Sequence, residues 1–509
     1  MNEDYLDIEQ MLSQALGSDD QTKMRKVMTE LMNGRLRPLP PISDYKKALD
    51  PTLHDVMDQQ KRPNKMINID PDSPDYGNTR SVNINNQDGI PEKPRIEEVA
   101  RIAIALQKLI VKRSVGITFG NRVKYPSVRE TDQEKKLYDA IMRILKDNKE
   151  DTLNRQVAHQ VYGFTEVAEC WYTVEVNEGH KNYTDKETKY KVKVRVFSPE
   201  LGDTLYPYFN EDMDMTAFSR MYTKKMSDGT KYTFLETYTA ENYYLWKASG
   251  DKTTATTENA WELVQGYPKE NPFGKIPVIY GSQKEPDYAI VQSEIDRMEK
   301  LLSNFADTND YHSSPKIVVK GSVVGFCKKG EAGGVLELSG DEAEASYLAW
   351  NQAPESVKLE YEKLKELVHM LTQKPDLSWA SVKGLNVSGV ALQLMFMDAV
   401  LKVKEKEEIW NDYLTRRVNL LKSIMAYIDT SLKDASKKLL IDPVIEPFLV
   451  TDEVAKANLQ LSLSGNKALK SRRSAMTDLG IDNVDAELEL IEEEEAEDSM
   501  FEQNELTMA

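Results

Sequence analysis

The stretch SGVALQLMFMDAVLKVKEKEE, residues 388–408, opens the longest uninterrupted helical pattern in the chain. After Gly389 neither glycine nor proline occurs until beyond Lys433. At a rise of about 1.5 Å per residue, such a helix would be on the order of 60 Å long. A single globular domain rarely needs a helix of that length, so we expect neighbours in the same chain or in other subunits to support it. Met395 and Met397 lie in this pattern, and its helical spacing favours a packed core over an adaptable methionine surface.

Two further helices precede this stretch and flank a compact insert. In 287–310 an apolar stripe repeats every three or four residues, and 355–373 carries a similar stripe. The stripe residues are Val291, Ile295, Met298, Leu302 and Phe305 in the first helix, and Val357, Tyr361, Leu364, Val368 and Leu371 in the second. Between them, residues 314–353 predict strands at 316–319 and 335–338 with six glycines. The stripes are narrow, which favours packing against neighbouring subunits.

Upstream of these helices the period of the pattern changes to two. Residues 167–279 predict a mainly antiparallel sheet, with strands at 170–174 and 190–196 and an Asp228-Gly229 hairpin. Helices are predicted at 96–113, 132–147 and 151–162. Residues 1–95 read as a polar, proline-punctuated arm with one short helix at 44–59. The fold class is therefore α+β, and 509 residues imply more than one domain.

The charge balance argues against a protein that grips nucleic acid. The net charge is −18, and the thirteen acidic residues from Asp478 to Glu505, where no Lys or Arg occurs, leave −5 for the rest. A protein that neutralises phosphates needs a basic face, and composition shows none. The run Glu492–Glu495 is interpreted as a solvated tail, with an anionic collar as the alternative.

The sequence contains no signature of a catalytic, metal or cofactor site. The nucleotide-binding, zinc-protease, serine-hydrolase and dinucleotide motifs are missing, so no catalytic residue and no cofactor is predicted. Two cysteines, Cys170 and Cys327, are interpreted as reduced apolar side chains, and five scattered histidines predict no metal site. No apolar run is long enough to cross a bilayer and the N-terminus shows no secretory pattern, so we expect a soluble chain made in a cytoplasm.

Four segments, in order, resemble the portal proteins of siphovirus-type tailed bacteriophages. They are 109–125 (LIVKRSVGITFGNRVKY, with a G-x-x-x-G-x-x-V turn), 271–280 (NPFGKIPVIY), 290–321 ending in KIVVKG, and the N-x-S-G-x-A-L segment at 386–392. The resemblance covers about residues 95–430. It implies the portal fold, assembled as a cyclic ring, usually a dodecamer, with long stem and wing helices, a β-rich wing and a small α/β clip.

Carried onto this sequence, the resemblance implies the following division. Residues 1–95 are the polar N-terminal arm, whose role it leaves open, 96–285 the wing, 286–313 the first stem helix, 314–353 the clip, 354–373 the second stem helix, 374–388 the tunnel loop, 389–451 the long wing helix with its following segment, and 452–509 the crown and acidic tail. We also expect the clip strands to contribute to sheet or packing between subunits.

The resemblance further implies a role at one capsid vertex of the virion, in genome packaging, retention and ejection, after assembly in the host cytoplasm. Its implied partners are double-stranded DNA passing non-specifically, the terminase large subunit, the major capsid and scaffold proteins and a head-completion or adaptor protein, without a membrane. The tunnel-loop residues expected to face DNA are Lys374, Trp379, Lys383 and Asn386, and the partner surface of the clip is expected at Lys328, Lys329 and Glu331. Trp379 could equally be a core anchor. The alternative function is another phage structural protein, a scaffold or minor capsid subunit, without a DNA channel.

Overall fold

The computed structural model describes residues 7–17, 21–67, 95–227, 229–250, 261–312, 317–325, 337–347, 353–375, 396–448, 453–464, 470–481, 484 and 486–495. The α-helices, numbered along the chain, are α1 (Ile8–Leu16), α2 (Gln21–Asn33), α3 (Ile42–Leu49), α4 (Leu106–Phe119), α5 (Asp132–Asp147), α6 (Glu150–Phe164), α7 (Gln292–His312), α8 (Ala353–Leu371), α9 (Met397–Ile428), α10 (Lys433–Lys438), α11 (Glu453–Ser464) and α12 (Arg472–Leu479). The strands are β1 (Lys65–Ile67), β2 (Arg95–Glu97), β3 (Glu166–His180), β4 (Thr188–Phe197), β5 (Thr204–Phe209), β6 (Met215–Lys225), β7 (Lys231–Thr239), β8 (Asn242–Ser249), β9 (Glu262–Leu263), β10 (Lys269–Glu270), β11 (Val278–Ser282), β12 (Ile317–Gly325) and β13 (Glu337–Tyr347). The predicted α+β class is confirmed.

The described part of the chain divides into two compact units. The larger contains Met1–Lys374 and Lys402–Pro447, and the smaller contains Pro375–Leu401 and Phe448–Ala509. In the smaller unit α11 packs on α12, and residues 486–495 are helical. Arg472 and Glu495 form an exposed ion pair of 2.9 Å there, so part of the acidic tail is an ordered helix in this structure.

The larger unit contains two antiparallel sheets of three or more strands, besides the two-stranded pairs β1-β2 and β12-β13. One has the strand order β11-β3-β4, and the other β10-β8-β7-β6-β5 with β9 beside β8. The predicted hairpin is present as β6 and β7, and Gly229 in its turn has a φ of +86°, a conformation that glycine adopts without strain. Successive side chains of β3 and β4 point to opposite faces of the β11-β3-β4 sheet. One of these faces packs against a helical core through Trp171 and Val192.

The helical core of the larger unit is built from α4, α5, α6, α7 and α9. α5 has the bounds that the sequence predicts, and the hydroxyl of Thr131 and the carboxylate of Glu134 form a capping box at its N-terminus. α9 ends at Ile428, five residues before the predicted end. There the side chain of Asp429 accepts a hydrogen bond from the backbone of Ser431 and begins a short 3-10 turn.

The N-terminal region differs from the predicted loop-rich arm. α1 and α2 pack on the larger sheet, where Leu12, Met28 and Leu31 join Trp246 and Trp261 in a separate hydrophobic cluster. The predicted helix at 44–59 is shorter, since α3 ends at Leu49 before Pro51. Residues 68–94 of the predicted arm lie outside the described residues.

The predicted helix at 96–113 is wrong in its first half. α4 begins only at Leu106, and residues 98–105 are neither helix nor strand. The apolar spacing of Val99 and Ile102 suggested a helix, but this segment makes its hydrogen bonds to side chains of α7 instead of to itself. Tertiary contacts therefore override the local pattern here.

Candidate functional site

A helix–hairpin–helix segment, α7–β12–β13–α8, is the region to which the sequence assigns function. β12 and β13 pair with each other from Ile317 opposite Tyr347 to Gly325 opposite Glu337, with register shifts on the way. Both strands extend further than the predicted 316–319 and 335–338. α7 and α8 pack together, and Arg297 and Glu360 join them by an ion pair of 2.7 Å.

The predicted apolar stripe of α7 is buried over its first turns. Val291, Ile295 and Met298 are at most 1% exposed, while Leu302 and Phe305 are partly buried. On α8 only Val368 of the predicted stripe is buried. α8 also has an exposed apolar row, composed of Leu359 (60%), Leu367 (37%) and Met370 (61%).

The extended segment 98–104, here called the strap, runs along α7 in the opposite direction to the helix. Three backbone N–H groups two residues apart donate to three α7 side chains four residues apart. The pairs are Ala100 N to Asp307 Oδ1 (2.7 Å), Ile102 N to Ser303 Oγ (2.9 Å) and Ile104 N to Glu299 Oε1 (2.7 Å). Four helical residues rise about 6 Å and two extended residues span about 6.6 Å, so the two repeats match.

The side chain of Arg62 joins the strap to α7. Its Nε donates to the carbonyl of Ala100 (2.9 Å), and its two terminal nitrogens donate to Asn304 (2.8 Å) and Asp307 (2.7 Å). One planar guanidinium thus holds both the strap and the helix, a geometry that lysine could not reproduce.

A buried histidine completes this contact. Nδ1 of His54 lies 2.6 Å from Oε1 of Glu299, and its Nε2 lies 3.0 Å from the carbonyl oxygen of Ala48. Both ring nitrogens face oxygen acceptors, so His54 and Glu299 hold one proton between them. Burial lowers the pKa of His54, but the hydrogen bonds to Glu299 and Ala48 outweigh it and raise that pKa above its ordinary value.

A second buried cluster lies just before α7 and centres on Asp287. Nζ of Lys406 donates to Oδ1 of Asp287 (2.8 Å) and to Gln283 (2.6 Å). Lys374 lies 3.8 Å from the other carboxylate oxygen, and its Nζ donates to the hydroxyl of Ser114 (2.5 Å), which in turn donates to Asp287. Burial raises the pKa of Asp287, but the two ammonium groups outweigh it and lower that pKa below its ordinary value.

The two lysines share one carboxylate, and Lys374 is the farther one. Burial, and then the like charge of Lys406, lower the pKa of Lys374 to about 8 against the attraction of Asp287. This cluster joins the end of α8 to α4, to the start of α7 and to α9.

A third buried group ties α9 to the sheet. Arg417 makes a bidentate contact with Glu169 on β3 (Nε to Oε1 2.7 Å, Nη2 to Oε2 2.8 Å) and donates to Asn154 on α6 (2.5 Å). Trp171 also donates to this carboxylate, at 3.0 Å. Both members of the ion pair are fully buried, so the long helix is locked to the core by a charge pair without water.

Comparison with known families decides what these elements belong to. The family model described as phage portal protein, SPP1 Gp6-like, matches residues 57–500, which include α7, both strands of the hairpin, α8 and α9. The chain belongs to this portal protein family. The resemblance seen in the sequence is confirmed.

Solved structures similar to this portal chain include one titled "Neck of empty GTA particle computed with C6 symmetry". The identity is 9%, the TM-score is 0.39, and the match covers 73% of this chain and 89% of that chain. No curated protein matches the sequence.

The tunnel-loop residues of the portal chain fall in two places. Trp379, Lys383 and Asn386 lie in 376–395, outside the described residues. Lys374 is described and is only 6% exposed, with its ammonium turned into the Asp287 cluster. We therefore correct its assignment, since an ammonium that is buried against Ile110, Ser114 and Asp287 is not available to a DNA phosphate.

The remaining sequence predictions concern the clip, the cysteines and metals. Lys328, Lys329 and Glu331 lie between β12 and β13, outside the described residues, as does Cys327. Cys170 is a buried thiol in a hydrophobic cluster, and burial raises its pKa to about 12. Within the described ranges, no group of three or more His, Cys, Asp or Glu residues is arranged to hold a metal ion. None of the helices that the structure describes is long and apolar enough to cross a membrane.

The strap and its anchors were not predicted from the sequence. The sequence shows only that Glu299, Ser303 and Asp307 place polar side chains at four-residue intervals beside the apolar stripe of α7. On a solvated helix face such residues need no partner, and only the buried state of Glu299 and Ser303 shows that they have one.

Proposed function

We propose that this chain is the subunit of the ring-shaped channel through which double-stranded DNA enters and leaves the capsid. The observation that carries the proposal is the family match over residues 57–500, which spans every element assigned to the channel. In the ring, 286–313 and 354–373 form the stem, 314–353 the clip, 96–285 and 389–451 the wing, and 452–509 the crown. The ring contains twelve subunits and stands at one capsid vertex of the virion.

An exposed apolar row on α8 supports lateral association of this helix with a second copy of the chain in the ring. Leu359 and Met370 are each about 60% exposed and lie on one side of this helix with Leu367. Burying a leucine or methionine side chain contributes roughly 1.5–3 kcal/mol, so a closed ring would remove an unfavourable exposed row.

This contact is tested by Leu359→Gln/Met370→Gln, with Leu201→Gln/Leu440→Gln as the control, because those two leucines are also exposed but are not part of α8. Native mass spectrometry should show large oligomers for the wild type and the control, and mainly monomers for the α8 variant. Equal assembly of all three proteins would remove α8 from the subunit interface.

DNA passes through the channel without being gripped, in keeping with the net charge of −18. Trp379, Lys383 and Asn386 face the duplex from the tunnel loop. A chain lacking residues 377–385 should form normal rings but package or retain less DNA. Normal packaging by the deletion variant would exclude this loop.

The clip provides the docking surface for the terminase and later for the head-completion protein, through Lys328, Lys329 and Glu331. The major capsid and scaffold proteins contact the ring elsewhere. The double variant Lys328→Glu/Lys329→Glu should weaken terminase docking most at low salt, since exposed charges mainly affect encounter and salt sensitivity. Normal docking by an intact variant ring would place this surface elsewhere.

The portal performs no catalysis of its own, and the energy for packaging comes from a separate motor. The alternative is a scaffold or minor capsid subunit. Such a protein would share the helices and the acidity, but would not close into a ring around a hole.

A further inference from the structure

β4 carries a row of basic side chains to which the proposed function gives no role. Lys189, Lys191, Lys193 and Arg195 occupy alternate positions of this strand, and all four are exposed. Side chains two residues apart on a strand point to the same face, about 6.6 Å from one another. The row is therefore about 20 Å long. We call it the basic row.

The basic row has no internal partner over most of its length. Among the residues that the structure describes, no carboxylate pairs with Lys189, Lys191 or Lys193. Arg195 contacts Glu236 only at 3.5 Å and remains 50% exposed. In a chain with a net charge of −18, a row of four positive charges of which three have no ion pair among the described residues is a local exception that favours an anionic partner.

Apolar side chains flank the basic row on the adjacent strand. Tyr172 lies directly opposite Lys193, and Val174 directly opposite Lys191. Residues paired in this way share a face of the sheet, and Tyr172 and Val174 are 38% and 40% exposed. The surface thus offers charge and apolar contact side by side.

At one end the basic row opens into a pocket of about 440 Å³. Arg195 and Tyr172 line it together with Tyr238, Tyr243 and Phe273, and its polar lining includes Lys269 and Glu270, so an apolar part of the ligand suits it better than an acidic one. Its volume is within the range of ligand pockets and suits one or two apolar side chains. Charge along the row and an aromatic pocket at its end together specify a ligand that is acidic in one part and apolar in another.

The aromatic rings of the pocket argue against a nucleic acid. Tyr238 and Tyr243 are stacked on each other at 4.6 Å between centroids, and Tyr267 meets Tyr243 edge-on at 5.1 Å. Single-stranded nucleic acids bind by stacking successive bases on open aromatic faces, and in this stacked pair one face of each ring is already covered by the other ring. Duplex DNA presents phosphates but no apolar group that could enter such a pocket.

Part of the outer edge of β4 is covered by side chains of the same chain, which excludes binding of the ligand as an added strand there. The backbone N–H of Val192 donates to the hydroxyl of Tyr183 (3.1 Å), and Asn148 donates to the carbonyl of Val192 (3.1 Å). This part of the edge is covered, so an added β-strand could not pair with it. Recognition therefore relies on the side chains of the exposed face.

From these observations we infer that the face formed by Lys189, Lys191, Lys193, Arg195, Tyr172 and Val174 binds an acidic polypeptide segment, and that an apolar or aromatic residue of this segment enters the adjoining pocket. The partner is a protein with acidic residues at alternate positions of an extended stretch. This surface lies in the proposed wing and includes no residue of the tunnel loop or the clip.

The test uses the full-length protein and a fluorescein-labelled octapeptide that alternates glutamate with valine and ends in tyrosine. Fluorescence anisotropy at low and at high salt should show binding that weakens with salt. The variant Lys189→Gln/Lys191→Gln/Lys193→Gln should bind the peptide about 10-fold more weakly at low salt, since three exposed ion pairs are lost. The matched control is Lys108→Gln/Lys112→Gln/Lys146→Gln, which removes the same charge from exposed helical positions.

The control variant should bind like the wild type, and circular dichroism should show that both variants are folded. Replacing Tyr172 and Val174 by threonine, which keeps strand propensity, should also weaken the peptide. Three results would each overturn the inference: no binding of the peptide by the wild type at 1 mM, equal loss in both lysine variants, or tighter binding of a 20-nucleotide single-stranded DNA than of the peptide at the same site.

Discussion

The hydrogen bonds between the strap and α7 can be tested with a single small substitution. Ser303→Ala removes the hydroxyl that accepts from the N–H of Ile102 at 2.9 Å. Ser303 is fully buried and the hydrogen bond is partly buried, so this N–H loses its acceptor at a place with restricted access to water. A buried donor that loses its partner costs about 1–3 kcal/mol. Because about 1.4 kcal/mol is a factor of ten, local opening of the strap should become roughly 5- to 150-fold more frequent.

Hydrogen–deuterium exchange followed by mass spectrometry measures this opening directly. A peptide covering residues 98–105 should exchange faster in Ser303→Ala by that factor, while peptides from the β3–β4 hairpin should be unchanged. The matched control is Ser293→Ala, the same change at an exposed position near the start of α7, where the hydroxyl donates to the neighbouring Glu294. Unchanged exchange of 98–105 in Ser303→Ala, or equal acceleration by the control, would refute the assigned role of the strap.

The buried charges give three further predictions. The pKa of His54 is raised in the folded state, so its contribution to stability is fully present below about pH 6.5 and is lost as the pH rises through the folded pKa. The variant Glu299→Gln should therefore reduce the dependence of the melting temperature on pH. An unchanged profile would count against the shared proton. Arg417→Met leaves Glu169 buried without its cation and should destabilise the chain by about 3–5 kcal/mol, measured by urea unfolding. Adding Glu169→Gln to this variant should restore part of the lost stability. A loss below about 1 kcal/mol for Arg417→Met would contradict this account. The pKa of Lys374 is lowered to about 8, so its protonated form disfavours folding at lower pH. The stability of the wild type should therefore rise from about pH 8 to 10 relative to that of Lys374→Met. Parallel curves of stability against pH for the two proteins would show that the ammonium is not buried in solution.

Some elements could be predicted from local pattern because nothing distant competes with it. α5 has the predicted bounds, since its apolar spacing and its Thr131–Glu134 capping box both act within a few residues. The β6–β7 hairpin follows in the same way from its Asp-Gly turn. These signals are local in the sequence and in the structure alike.

The strap could not be predicted, because its partners are about 200 residues away. Val99 and Ile102 have helical spacing, yet Ile102 donates to Ser303 on α7 and the segment remains extended. The helices α1 and α2 were missed for a related reason. Their apolar faces are satisfied by the sheet residues Trp246 and Trp261, and no short window of sequence contains both sides of that contact.

The site predictions depended on the family resemblance and not on side-chain chemistry. Lys374 was assigned to a DNA-facing loop from its place in the chain, but the structure buries it beside Asp287. A lysine at the end of a helix gives no local sign that a carboxylate 87 residues earlier will share its environment. The basic row of β4 was visible as alternating Lys and Arg residues, but its meaning depends on the exposed Tyr172 and the pocket, which only the fold brings together.

The measurement that tests the central claim most directly is cryo-electron microscopy of the purified full-length protein. The account predicts closed rings with a central hole wide enough for duplex DNA, with α7 and α8 forming the wall and α8 contacting the neighbouring subunit. Monomers only, open filaments, or closed particles without a continuous hole would contradict the claim that this portal-family chain builds a DNA channel.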